Sequence, residues 1–269
     1  MIILPNAKIN LGLSVVERRP DGYHNLETVF YPIPLHDMLE VVLTDGPEPY
    51  RFSSSGLAIA GDPEKNICVK AYRRVSERYP IPPIGICLHK MVPMGAGLGG
   101  GSADGAYMVR LLNDMFDLKM TDDEMRRMVA PIGADCPFFV DARPAYATGI
   151  GDRLEPVGLD LGGWWLTLVK PDIFVSTAEA YRGVTPGRPR HSVRDVVGLP
   201  VAEWRDRLVN DFEQTVFALH PEIAGIKRKL YECGCVYAAM SGSGSSVFGL
   251  SAQQIDADFP DCFVWSGKL

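Results

Sequence analysis

Apolar positions along the chain keep two periods, and the changes between them mark out the elements. From Ile2 to Val16 an apolar run carries Asn6, Lys8 and Asn10 at every second residue, which puts the three polar side chains on one face of a strand. Glu17-Arg18-Arg19-Pro20-Asp21-Gly22 has turn chemistry. Strand-like runs follow at Thr28–Ile33 and Leu39–Leu43, and the Gly-, Pro- and Ser-rich stretch 45–63 predicts a loop with one short strand. Ile67, Ala71, Val75 and Tyr79 share a helical face within Asn66–Tyr79. Ile84, Ile86 and Leu88 alternate as a strand; Ala103, Tyr107, Leu111 and Met115 then step along one helix face, with Met108 and Leu112 beside them.

Further on, Thr121-Asp-Asp-Glu124 has the form of a capping box and predicts a helix start. Gly133 to Phe139 opens a new element, and Trp164–Val169 reads as a buried strand. Residues 183–190, rich in Gly, Pro and Arg, predict an exposed loop, and Val201–Phe217 and Pro221–Cys233 read as helices. Strands at Val236–Met240 and Val247–Leu250 flank the hairpin sequence Ser241-Gly-Ser-Gly-Ser-Ser246. Strands and helices alternate without βαβ regularity, so the fold class is α+β. A composition break at Gly158–Gly163 divides the chain into an expected domain 1–158 and a second, 159–269.

Between the strand ending near Leu88 and the helix that follows lies Pro93-Met-Gly-Ala-Gly-Leu-Gly-Gly-Gly-Ser102. A glycine run feeding a helix start turns several backbone N–H groups toward one point, where the helix dipole adds roughly half a positive charge. That is a cradle for a polyphosphate. A P-loop needs Lys-Ser/Thr after its last glycine, and here Gly100 is followed by Gly101 and Ser102. The dinucleotide fingerprint is met literally by Gly95, Gly97 and Gly100, but no clear second strand with an acidic end follows. A protein-kinase glycine loop has the same spelling, yet no His-Arg-Asp or Asp-Phe-Gly occurs downstream.

With 269 residues, 46% of them hydrophobic, the chain can bury a sizeable core, and two domains are expected. A net charge of −6 speaks against nucleic acid as a partner, so positive charge for an anionic substrate has to be local. No apolar stretch approaches a membrane span, and Met1 to Pro5 reads as a first strand and not as a signal peptide. Six cysteines without Cys-x-x-Cys spacing read as reduced thiols, which predicts a cytoplasmic protein. Asp135 lies in the apolar sequence Gly-Ala-Asp-Cys-Pro-Phe-Phe, where a carboxylate has to be paired or used. Alone, it reads equally as a cap or an ion-pair partner, Lys8 as a surface lysine and Ser102 as a helix N-cap.

The glycine string resembles the phosphate loop of the GHMP small-molecule kinases, through Pro93, Gly97, Leu98, Gly99 and Ser102. Pro5-Asn-Ala-Lys-Ile-Asn-Leu11, Gly133-Ala-Asp-Cys-Pro-Phe-Phe139 and Met240–Gly249 are similar to further motifs of the same family. The triple glycine Gly99–Gly101 and Asp21-Gly-Tyr-His24 resemble the branch that acts on a cytidine-diphosphate-linked methylerythritol in non-mevalonate isoprenoid synthesis. The resemblance implies a two-domain fold, an N-terminal ATP domain like domain 2 of ribosomal protein S5 and a ferredoxin-like C-terminal domain, with the active site in the cleft. It implies ATP and Mg²⁺ as cofactors, a small-molecule acceptor, and a monomer or weak homodimer. Pro93, Met94, Gly95, Ala96, Gly97, Leu98, Gly99, Gly100, Gly101 and Ser102 would cradle ATP, Ser102 would also meet Mg²⁺, and Asn66 would read adenine. Asp135 would be the general base and Lys8 its partner. Asn10 would bond the acceptor hydroxyls, Tyr23 and Tyr181 would stack on cytosine, and His24 would bond its edge. Lys90 would reach the acceptor's diphosphate and Thr177 would touch the acceptor. Asp104-Gly105 departs from the family's usual residues after the loop serine; a glycine there costs up to ~1 kcal/mol of helix propensity.

Overall fold

The computed structural model describes residues 1–269. In chain order its strands are β1 (Ile2–Ile3), β2 (Asn6–Arg18), β3 (His24–His36), β4 (Met38–Leu43), β5 (Tyr50–Gly56), β6 (Ile84–Lys90), β7 (Ala145–Thr148), β8 (Arg153–Pro156), β9 (Trp165–Pro171), β10 (Tyr237–Met240), β11 (Val247–Ser251) and β12 (Cys262–Lys268). The helices are α1 (Ile67–Ser76), α2 (Gly100–Met115), α3 (Asp122–Val129), α4 (Thr177–Tyr181), α5 (Val193–Val196), α6 (Phe212–Leu219) and α7 (Pro221–Glu232).

The chain forms two compact units that interleave along its length. One comprises Met1–Ala7, Leu35–Met94 and Gly99–Ala142; the other comprises Lys8–Pro34, Gly95–Leu98 and Arg143–Leu269. The reason lies in strand pairing: β7 pairs with β3 and β8 with β7, so residues 145–156 join a sheet begun near the N-terminus.

In the first unit the sheet order is β1-β4-β6-β5, antiparallel except for the parallel β5–β6 pair. Alternation sends Leu39, Val41, Ile84, Ile86 and Leu88 into the core. Against it pack α1, through Val69, Tyr72 and Val75, and α2, through Ala103, Met108, Leu111 and Leu112. Gly105 has a packing reason: a Cβ there would lie 2.8 Å from Ile67 Cγ1 of α1. The close approach of the two helices offsets the lost propensity. The capping box is complete, with Thr121 Oγ1 accepting from Glu124 N and the Glu124 carboxylate accepting from Thr121 N.

The second unit holds two sheets, β2-β3-β7-β8 and β10-β11-β9-β12, the latter antiparallel throughout. Its core joins Leu13 and Val15 of β2 to Val169, Phe212, Val216, Ile223, Leu230, Met240 and Val247. The helix expected over Val201–Phe217 is not continuous. After a turn in which Leu208 N donates to Trp204 O, residues 209–211 lie along β2, where Leu13 N donates to Val209 O and Asp211 N donates to Leu13 O, and α6 starts only at Phe212. Pairing with β2 takes the backbone groups that a helix would have used.

Candidate active site

The phosphate loop is built on αL glycines. Gly95, Gly97 and Gly99 have φ of 61°, 74° and 69°. Gly99, not Ser102, is the N-cap of α2, and its side-chain-free cap leaves the first-turn N–H groups without a capping acceptor. Ser102 therefore sits inside the first turn, where its hydroxyl lies beside the Cys136 thiol and favours the thiol's ionised form.

In the second unit, the 95–98 segment is held by Lys8 and by the β10–β11 hairpin. Leu98 O accepts from Lys8 N at 2.9 Å. Gly97 O accepts from Lys8 Nζ at 3.1 Å and from Ser241 Oγ at 2.8 Å. Lys8 Nζ also donates to Asn10 Oδ1 at 2.6 Å and lies 5.0 Å from the centre of the Phe30 ring. Lys8 is buried, against the usual fate of a lysine. Asn10 is fixed further by Nδ2 donating to Thr28 Oγ1 at 3.0 Å and by its backbone N–H donating to Ser241 Oγ. Asn210, which the sequence reading passed over, donates from Nδ2 to Met240 O and Gly242 O, both at 2.8 Å, and so pins the hairpin.

Tyr23 and His24 follow an Asx turn in which Tyr23 N donates to Asp21 Oδ1 and Gly22 takes φ 87°. His24 stacks on Tyr181, with ring centres 4.6 Å apart and planes at 18°. Tyr181 in turn meets Phe212 edge-on at 4.7 Å. Tyr23 stands outside this stack, 63% exposed. Thr177 is exposed at the first turn of α4, whose cap is Ser176.

In the first unit, Asp135 precedes the short helical turn Cys136–Val140 and does not cap it with its side chain, which removes the capping alternative. Burial pushes the Cys136 thiol up to about 11, against the pull of the Ser102 hydroxyl, so this neighbour of Asp135 stays neutral at pH 7. Asn66 caps α1, its Oδ1 accepting from Cys68 N at 2.9 Å. What Asn66 can turn toward a ligand is therefore its Nδ2 donor. It lines a cavity of about 370 Å³ together with Phe52, Ile67, Lys90, Met94 and Asp104.

Lys90 is the placement that differs most from expectation. It lines the Asn66 cavity, and its ammonium, 2% exposed, is ion-paired with Asp37 and, at 2.8 Å, with Asp104. Burial opposes its charge, but the two carboxylates outweigh that and hold its pKa above the ordinary value. A cation so committed is neutralised locally and has little field left for an acceptor's diphosphate. Asp37, whose Oδ1 also accepts from Met91 N and Val92 N, was not legible beforehand. No group of three or more His, Cys, Asp or Glu side chains is arranged to hold a metal ion. No helix is long and apolar enough to cross a membrane, and all six cysteines are free.

Residues 66–143 match the GHMP kinases N terminal domain and residues 201–259 match the GHMP kinases C terminal domain. The chain belongs to the GHMP kinase family. A full-length relative, 53% identical over 273 residues and covering 100% of both chains, is the 4-diphosphocytidyl-2-C-methyl-D-erythritol kinase of Parabacteroides distasonis. The enzyme of the same name from Bacteroides fragilis is 50% identical, again over 100% of both chains. A crystal structure of 4-(cytidine 5'-diphospho)-2C-methyl-D-erythritol kinase superposes with a TM-score of 0.81 at 33% identity, covering 93% of this chain and 90% of that one. A mevalonate kinase at 14% identity and a TM-score of 0.71 shares the fold alone. This GHMP kinase thus has the family's two-domain α+β fold, and its kinase chemistry is that of phosphoryl transfer from ATP.

Proposed function

We propose that this GHMP kinase transfers the γ-phosphoryl group of ATP to the 2-hydroxyl of 4-diphosphocytidyl-2-C-methyl-D-erythritol, giving the 2-phosphate and ADP in non-mevalonate isoprenoid synthesis. The observation that carries the reading is the full-length likeness to kinases of that name, together with the Asp-Gly-Tyr-His turn that delivers His24 to the Tyr181 ring. Phosphoryl transfer needs little covalent chemistry from a protein beyond positioning and charge stabilisation. The first-turn N–H groups of α2 and the αL glycines bind the phosphates. Asp135 removes the acceptor hydroxyl proton as that oxygen attacks, and Lys8 stabilises the charge; transfer is direct and in line. Asn10, held by Thr28 and Ser241, orients the acceptor hydroxyls.

The aromatic ring set Tyr23, His24 and Tyr181 recognises cytosine, with Tyr181 as the platform already fixed by Phe212 and Tyr23 as the exposed ring able to close over the base. Thr177 bonds the acceptor from the first turn of α4. Lys90 is reassigned from the acceptor's diphosphate to the Asn66 cavity, which takes the adenine. Mg²⁺ fits a site of this kind: it keeps several waters and is held chiefly by substrate phosphates, so the Ser102 hydroxyl suffices as a protein ligand without a carboxylate cage. When bound it neutralises phosphate charge. The protein is cytoplasmic and acts as a monomer or weak dimer.

The test is ADP formation with ATP and 4-diphosphocytidyl-2-C-methyl-D-erythritol, beside homoserine and mevalonate. Turnover with the cytidylyl acceptor alone is the expected result. Turnover with homoserine or mevalonate instead would discard the acceptor and keep the phosphoryl chemistry.

A further inference from the structure

Both ends of the phosphate loop are tied to one buried ion cluster. Asp37, 0% exposed between β3 and β4, accepts through Oδ1 from Met91 N at 2.6 Å and from Val92 N at 2.8 Å, on the chain that leads into Pro93. Its Oδ2 accepts from Lys90 Nζ. Lys90 Nζ donates in turn to Asp104 Oδ2 at 2.8 Å, one turn into α2. Gly100, the first residue of α2, closes onto the same group: a Cβ there would lie 2.8 Å from Val92 Cγ1 and 3.1 Å from Lys90 Nζ. The strand end that enters the loop and the helix that leaves it thus share one ammonium. Asp37 is itself fixed by its backbone, its N–H donating to Pro5 O.

We propose that Asp37 is a positioning residue for phosphate binding: with Lys90 and Asp104 it forms a clamp that sets where the first turn of α2 stands relative to the chain entering the glycine loop. This rests on the reading that the loop and that turn bind the phosphates of ATP. A buried ion cluster is a poor source of stability, because desolvation of its charges offsets their attraction. What this one fixes is geometry, since its charge-assisted bonds reach three separate segments of chain. Backbone N–H groups that bind phosphate cannot be re-aimed by a rotamer change; only the ends of the loop set their direction.

The charge state of the clamp gives a second readout. Burial pushes the Asp104 carboxyl up to about 8, with the Lys90 ammonium pulling it down and Asp37 pushing it further up. Its Oδ1 is buried without a hydrogen bond, where an ionised carboxylate would go uncompensated. The other titratable group packed on Asp104 is the Cys68 thiol of α1, kept neutral by burial; Asp62 and Lys65 stand on the wall of the Asn66 cavity. At pH 7 the clamp is therefore neutral, Lys90 balancing Asp37. Above about 8 it gains a negative charge one turn from a helix start, where it opposes an incoming anion. Bound phosphate favours the protonated form, so ATP affinity is full below about 8 and falls as pH climbs past it.

The experiment is calorimetric titration of the full chain with ATP in the presence of Mg²⁺, without acceptor, at pH 7 and pH 9, beside a thermal melt of each protein. Asp37→Ala opens the clamp, and Val129→Ala of α3, buried outside it, controls for lost stability. Well below every melting temperature, Asp37→Ala is expected to weaken ATP binding by ~10-fold or more, the value of one hydrogen bond to a charged group, while Val129→Ala binds like wild type. Wild-type affinity is expected to fall between pH 7 and pH 9 by about 2- to 30-fold, the value of a charge at a helix terminus, and Asp104→Asn to show no such fall. Asp37→Ala binding ATP within twofold of wild type overturns the proposal, as does an equal weakening in Val129→Ala. If Asp37→Ala does not fold, the pH comparison decides: no wild-type fall, or a fall that Asp104→Asn keeps, counts against. A wild type that binds no ATP overturns the phosphate reading of the loop and this inference with it, whereas a wild type that binds ATP no better than Asp37→Ala removes the clamp alone.

Discussion

Gly97 is where the phosphate loop has least room, and Gly97→Ala is the sharpest perturbation of it. A Cβ at this position would lie 1.9 Å from Ser241 O and 2.9 Å from Ser241 C, and these are hairpin backbone atoms that cannot rotate aside as a flexible side chain could. The residue also sits at φ 74°, in the αL region, which costs an L-residue roughly 1–2 kcal/mol. To reach ordinary contact at 3.4 Å the loop has to withdraw by about 1.5 Å, and the carbonyl that moves is the one accepting from Lys8 Nζ and Ser241 Oγ. The Lys8 bond is charge-assisted, worth about 1.5–3 kcal/mol, and the serine bond about 0.5–1.5. Together with the dihedral cost the change is on the order of 3–6 kcal/mol.

That strain has two outlets. It can lower global stability, by about 2–4 °C in Tm for each kcal/mol in a chain of this size. Or the loop can relocate, and a misplacement of about 1 Å costs ~10²-fold in rate. The assay is kcat/KM for ATP at saturating acceptor beside a thermal melt, with Gly158→Ala as control. Gly158 is exposed, and a Cβ there meets nothing within 4 Å. We expect kcat/KM to fall by ~10²-fold or more in Gly97→Ala while the control stays near wild type. A Gly97→Ala protein within twofold of wild type in kcat/KM, and unchanged in Tm, would refute the close-approach argument.

Four further outcomes follow from the geometry. Asp135→Asn is expected to slow turnover by ~10²–10⁴ with ATP affinity kept; near-normal turnover would remove Asp135 as the base. Tyr181→Ala should raise the acceptor KM by about 5–150-fold, the value of one stacked base, with the ATP KM little changed; equal effects on both would reject aromatic recognition of the acceptor. Thr121→Ala should cost about 1 kcal/mol in urea melts through loss of the capping box, and an unchanged midpoint would show that the box contributes nothing. The pKa of Asp104 is raised on folding, so its contribution to stability is full below the ordinary carboxylate range and is lost as pH climbs through about 8. Asp104→Asn should therefore gain Tm on wild type between pH 5 and pH 9, and parallel Tm–pH curves would contradict that sign.

Much of the fold was legible because it rests on local signals. The alternation at Ile84, Ile86 and Leu88, the four-residue steps of α2 and the Thr121 capping box each specify an element within a few residues, and each formed. What failed depends on partners far along the chain. Val201–Phe217 has apolar spacing fit for a helix, but Val209 and Asp211 pair through their backbone with Leu13 of β2, nearly two hundred positions earlier. The interleaving of the two compact units has the same origin, since β7 can be assigned to a unit only once its partner β3 is known. β12 was also left open, because its pairing with β9 is visible only in three dimensions.

The site divides along the same line. Backbone-driven features were readable, because a run of glycines announces its own purpose: the αL loop and the hairpin beneath it both formed. Side-chain charges were not, because a lysine's role is set by what surrounds its ammonium. Lys8 and Lys90 look alike in sequence and are both buried, yet Lys8 is spent on a carbonyl of the phosphate loop and on Asn10, while Lys90 is spent on Asp37 and Asp104. The Asp104-Gly105 departure from the family's usual residues was visible, but only the structure shows that the Asp104 carboxylate is held by Lys90. Lys90 takes one oxygen of that carboxylate, burial raises its pKa, and the other oxygen is buried without a hydrogen bond.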